Sequence, residues 1–100
     1  MATFISTIKF TEHGIESIGD TTKRAAAFKT AAKSMGIKVI GQFWTLGPFD
    51  GLIVFEAPDD QTATAAMLRL GSRDFVHTST CRAFNAAEMD KILALKSKHK

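Results

Sequence analysis

Gln42-Phe43-Trp44-Thr45-Leu46-Gly47-Pro48-Phe49-Asp50-Gly51-Leu52-Ile53-Val54-Phe55-Glu56-Ala57 decides the fold. Its two halves are rich in aromatic and β-branched residues, which suit a pleated, half-buried surface. Between them, Pro48 presets φ for the second position of a tight turn, while Gly47 and Gly51 tolerate backbone angles that other residues resist. The stretch reads as a β-hairpin, entered by a strand over 37–45 and left by one over 51–57, which Pro58 closes.

Working outward, each strand of the hairpin is flanked by a helical pattern. On the N-terminal side, Ala25, Phe28, Ala31, Ala32 and Met35 recur at spacings of three and four, between a cap at Asp20 or the following threonines and a stop at Gly36. On the C-terminal side, Asp59 or Asp60 caps a helix whose buried stripe is Ala63, Ala66, Met67 and Leu70, ended by Gly71. Beyond the helices lie two more strands. Thr3 to Phe10 alternates, with Phe4, Ser6, Ile8 and Phe10 on one face, and Asp74 to Phe84 does the same, with Phe75, His77, Ser79 and Cys81 on one face. Asn85-Ala86-Ala87-Glu88 has capping-box spacing and opens a terminal helix through Met89, Ile92, Leu93 and Leu95. The order is β-α-β-β-α-β with a C-terminal helix, an α+β chain of the ferredoxin-like type. It forms one domain over 1–95, followed by a basic, disordered tail over 96–100.

Composition sets the outer limits. One hundred residues suffice for one core, and 45% hydrophobic with 23% charged residues is ordinary for a globular protein. No apolar run approaches the roughly 20 residues that span a bilayer, and the N-terminus lacks the pattern of a signal peptide, so the expected location is the cytoplasm with no membrane partner. The lone Cys81 cannot form an internal disulfide. The net charge of +3 lies in the tail: the four lysines of residues 91–100 face no acid, and the other nine basic and ten acidic groups leave the body at −1. A nearly neutral body gives no footprint for a phosphate backbone, so no nucleic-acid partner is expected.

Two helices cover only one face of a four-stranded sheet. Strict alternation along the second strand sets Ile40 and Trp44 opposite Val39 and Phe43, which makes both faces apolar. A monomer would expose a patch larger than soluble proteins tolerate. The expectation is a homodimer, or a higher assembly of dimers, packed sheet against sheet.

Taken together, Trp44 to Asp50, Glu56-Ala57-Pro58-Asp59-Asp60, Gly71-Ser72 and Thr78 to Phe84 resemble the GYD-domain family of small bacterial proteins, over almost the whole chain. The family's Gly-x-Tyr-Asp signature stands here as Gly47-Pro48-Phe49-Asp50, so a phenol hydroxyl is lost at Phe49. The resemblance implies the dimeric α+β barrel superfamily, whose relatives include monooxygenases, haem-degrading enzymes, isomerases and ligand-binding domains of regulators. Such a fold does not select one chemistry.

Five residues are candidates for a ligand site. Asp50 either ties down amides of its own turn, around Phe49 and Gly51, or serves as a functional carboxylate. Trp44 is either the aromatic wall of a pocket or a core or interface residue. His77, on a face expected to be largely buried at a pocket edge, is a general base, a haem ligand or a group satisfied by a hydroxyl. Ser6 and Thr45 complete the polar set of an otherwise apolar pocket between sheet and helices. His77 and Cys81 share a face, but four residues along a strand span ~13 Å, too far for one metal, and Cys81 reads as a small buried apolar residue. Gly-rich phosphate loops, nucleophile elbows and paired helical carboxylates are absent, as is tyrosine. No metal or cofactor is called for, and no catalytic residue is assigned. Two functions remain open: a dimeric module that binds a small apolar metabolite or a protein partner, or a cofactor-free or haem-linked enzyme of monooxygenase or isomerase type.

Overall fold

Hairpin pairing and two helical crossovers build one antiparallel sheet. The computed structural model describes residues 1–97. Along the chain, β1 (Ala2–Phe10) leads through a short helix α1 (Glu12–Glu16) and a 3-10 turn (Ile18–Asp20) into α2 (Thr21–Ser34). Then follow β2 (Lys38–Trp44), β3 (Gly51–Ala57), α3 (Asp60–Gly71), β4 (Val76–Ala83) and α4 (Ala86–Ser97). The sheet order is β2-β3-β1-β4, so each β-α-β crossover spans one intervening strand. This is the ferredoxin-like α+β arrangement that the alternating and helical patterns predict. α4 continues two residues past the expected domain boundary at 95, and the rest of the basic tail, residues 98–100, lies outside the described residues.

The core lies between the sheet and α2 with α3. Phe4, Ile8, Ile53 and Phe55 face it from the central strands, and Phe28, Ala32, Ala63, Ala66 and Met67 from the helices. Phe4 and Phe55, paired across β1 and β3, stack with ring centres 5.4 Å apart. The loop of the hairpin is longer than a tight turn: Thr45 N–H donates to the Asp50 carbonyl (3.0 Å), and residues 46–49 bulge outward with Leu46 fully exposed.

Strict alternation fails in β2. Val39 pairs with Phe55, but Gly41, not Ile40, pairs with Val54, so Ile40 is the extra residue of a β-bulge. One inserted residue reverses the facing of everything after it. Val39, Gln42 and Trp44 therefore share the helix side, and Phe43 joins Leu52, Val54 and Ile5 on the open side, where it is 57% exposed. The expected grouping of Val39 with Phe43 and Ile40 with Trp44 is corrected accordingly.

In β4 the period holds and the sides are exchanged. Val76, Thr78, Thr80 and Arg82 oppose the core-facing residues of β1, while His77, Ser79 and Cys81 oppose Lys9, Thr7 and Ile5 on the open side. His77 and Cys81 are exposed rather than buried. The strand is at the sheet edge, with few large side chains on either face to mark which is inner.

Side chains end the elements. Thr11 caps α1, accepting from Gly14 N–H (2.9 Å), and donates its hydroxyl to the Asp74 carbonyl (2.6 Å). Gly14 packs so closely that a Cβ there would fall on the Phe75 carbonyl oxygen. Asp59 accepts from Thr62 N–H (2.7 Å) at the start of α3. Asn85 and Glu88 exchange bonds at α4, as a capping box requires (2.9 and 3.0 Å). Hydrogen bonding to Thr62 holds the Asp59 carboxyl below its ordinary range, and the Asn85 amide, aided by Arg82, does so for Glu88.

Two outcomes are expected. Gly14→Ala costs about 1–3 kcal/mol by overpacking, read as a shift in denaturation midpoint. Both cap carboxyls have folded pKa values below their unfolded ones, so their contribution is present above the unfolded value and lost as pH falls through the folded one. Protection factors of the amides at the start of α4, taken relative to the intrinsic exchange rate at each pH, should fall on acidification, and Glu88→Gln should remove most of that dependence.

Candidate functional site

The bulge and the spacing of α2 build a cavity at the hairpin end of the sheet. Thr21, Arg24 and Phe28 fall at helical spacing on one side of α2, facing the sheet. Gln42 and Trp44 rise from β2, Ile8 and Phe10 from β1, and Gly51 and Ile53 from β3. The end of α3 and the turn after it add Arg69, Leu70 and Arg73, joined by Phe75 and Val76. Open on one side, the cavity has a volume of about 330 Å³.

Most polar atoms around it are held. Gln42 Nε2 donates to the Ala25 carbonyl of α2 (3.0 Å), and Trp44 Nε1 to Thr21 Oγ1 (3.0 Å). Asp50 Oδ2 accepts from Phe10 N–H (2.9 Å), and Asp50 N–H donates to the Ile8 carbonyl (2.7 Å). Arg24 lays its guanidinium 4.2 Å from the ring centre of Phe75 and donates from Nη1 to the Ser17 carbonyl (2.9 Å). Its Nη2 is buried and has no acceptor among the described residues.

Of the five candidates, the structure brings Trp44 and Asp50 to this cavity. Asp50 does stabilise backbone, but through Phe10 on the neighbouring strand rather than through amides of its own turn. Ser6 is completely buried in the core, where its hydroxyl accepts from Thr80 Oγ1 (3.0 Å). Thr45 donates to the Phe49 carbonyl (2.6 Å) and shapes the exposed loop. His77 borders a separate, shallow surface depression with Thr11, Glu12, His13, Glu16 and Asp74, so its placement at the edge of the apolar pocket is corrected. Among the described residues, no three His, Cys, Asp or Glu side chains are grouped to hold a metal ion.

Arg24, Gln42 and Phe75 escape the sequence reading. Arg24 lies four residues before Phe28, which is a legible signal for a shared helix side. Gln42 emerges only once the bulge is known. Phe75 precedes β4 and is held by contact with His13, whose ring is 4.6 Å away, as well as by Arg24.

Fold and cavity together define a small ferredoxin-like α+β protein with a pocket between sheet and helices. The GYD domain matches residues 4–93, and the chain belongs to that family. It is 34% identical over 90 residues to a glutamine synthetase and cystathionine beta-lyase binding protein of Thermus thermophilus, an alignment covering 89% of this chain and 95% of the relative. No solved structure matches significantly.

Removing the Asp50 carboxylate leaves the Phe10 amide without its acceptor. Asp50→Ala should cost about 1–3 kcal/mol in chemical denaturation, and Asp50→Asn, which keeps an oxygen there, distinctly less.

Proposed function

We propose that this protein is a binding module that pairs with a second copy through its open sheet face and takes a small, largely apolar molecule into the cavity of each subunit. The observation that carries this reading is the cavity itself: its volume is that of small-molecule sites, and its walls are mainly Ile8, Phe28, Ile53, Leu70, Phe75 and Val76. Binding is favoured over catalysis because, among the described residues, the one carboxylate of its lining, Asp50, already holds a backbone amide, and neither histidine nor cysteine lines it.

Pairing is supported by the open face, where Phe43 stands beside Leu52, Val54 and Ile5 with no helix over them. Apolar side chains so grouped gain by mutual burial. A cytoplasmic location belongs to the same proposal and accords with the exposed thiol of Cys81. A second reading, a protein partner, is favoured by the relative's name. Purified glutamine synthetase and cystathionine β-lyase from the source organism, passed over the immobilised protein, test it directly.

Native mass spectrometry of the purified protein tests assembly and cargo at once. The expected species are even multiples of the 10.9 kDa chain, carrying a small added mass per subunit. Phe43→Asp should shift them towards monomer. A bare monomer at micromolar concentration would overturn the paired reading.

A further inference from the structure

We propose that the cavity reads a negative charge: its ligand class is a small organic carboxylate with an aromatic or aliphatic body, and Arg24 receives the carboxylate. This deepens the small-molecule reading above and rests on it.

Arg24 has more donors than the protein gives it acceptors. A guanidinium stays protonated and carries five N–H donors. Here Nη1 has the Ser17 carbonyl and the cation's face has the Phe75 ring, yet Nη2 is buried without an acceptor. Burying a charged donor unpaired is more costly than burying a neutral one. Nη2 is closed to solvent in the empty cavity, so an anion there supplies the missing acceptor once the guanidinium turns that edge towards it, and a charge-assisted bond formed away from bulk water is among the stronger polar contacts.

Cations outnumber carboxylates around the cavity among the described residues. Lys23, Arg69 and Arg73 also border the cavity, against the single carboxylate of Asp50. Asp50 is directed to the Phe10 amide, and Lys23 has only a long contact, 3.9 Å, to Asp20. Arg69 and Arg73 form no ion pair among the described residues. The site is thus positive at its rim and at one inner point, which draws anions and repels cations.

The apolar walls distinguish carboxylates from more polar anions. Ile8, Phe28, Ile53 and Leu70 offer no hydrogen bonds, so a sugar phosphate or nucleotide would lose hydration from hydroxyls that find no partner. A molecule charged at one end and apolar along the rest loses little. At about 30 Å³ per water, the space equals roughly eleven water molecules, enough for one aromatic ring bearing a short acid chain.

Trp44 lines the cavity and is the sole tryptophan in a chain without tyrosine, so intrinsic fluorescence reports from the site itself. The full-length protein is titrated with phenylacetate and with its neutral counterpart phenylacetamide. The expected result is a saturable change with the acid at about tenfold lower Kd than with the amide. Arg24→Gln should bring the two Kd values together, and Arg73→Gln should leave most of their ratio intact. Equal binding of acid and amide to the unaltered protein overturns the carboxylate assignment and leaves the pocket reading standing. Binding of neither overturns both. That comparison decides the charge preference even where Arg24→Gln fails to fold, and a ratio abolished by Arg73→Gln but not by Arg24→Gln overturns the role given to Arg24.

Discussion

One extra residue in a strand governs this molecule. Ile40 stands unpaired between Val39 and Gly41, and the backbone hydrogen bonds of β2 and β3 resume out of phase beyond it. Because strand side chains alternate with period two, that slip hands Gln42 and Trp44 to the helix side and Phe43 to the other. Gln42 then fastens β2 to α2 through the Ala25 carbonyl, and Trp44 reaches Thr21 at the start of the same helix. The cavity wall, the seat of α2 and the apolar character of the open face all follow from it. Restoring regular pairing would bury Phe43 and turn an amide and an indole N–H outward, undoing each of the three together.

The cavity places a permanent cation beside apolar walls, and the fold offsets only part of that cost. Phe75 supplies a ring face and Ser17 a carbonyl, both from segments outside regular strands and long helices. Phe75 is itself held from below by the close approach of Gly14, and Thr11 bonds the Asp74 carbonyl beside it. The geometry of the guanidinium therefore depends on α1, a five-residue helix just before α2 and far along the chain from β4. A loop-like connection acquires a precise task through two small residues, a threonine that caps and a glycine that yields space.

How much of this is legible in the chain can be judged residue by residue. The β-α-β-β-α-β order is readable because Gly36, Pro58 and Gly71 punctuate runs of clear period, and the Asn85 and Glu88 pair marks its helix three residues apart. The short helix over Glu12–Glu16 is less so, since one turn leaves no periodicity to detect. The faces of β4 are ambiguous because His77, Ser79, Thr78 and Thr80 are all small or polar, and only pairing with β1 decides between them. Ser6, read as a pocket group, is spent on Thr80 in the core. Trp44 reaches the cavity through a bulge that no local sequence signal announces, and Asp50 does so by bonding a strand forty residues earlier.

α4 has no buried residue of its own, yet it carries Met89, Leu93 and Leu95 exposed. Among the described residues, its side-chain polar contacts with the preceding segment lie at its first turn, where Glu88 meets Arg82 at 3.5 Å and the capping box closes. A segment so joined forms a separate cooperative unit: it can open while the sheet stays intact, at a free energy well below that of global unfolding. Mutations along its length are then almost invisible to the stability of the domain.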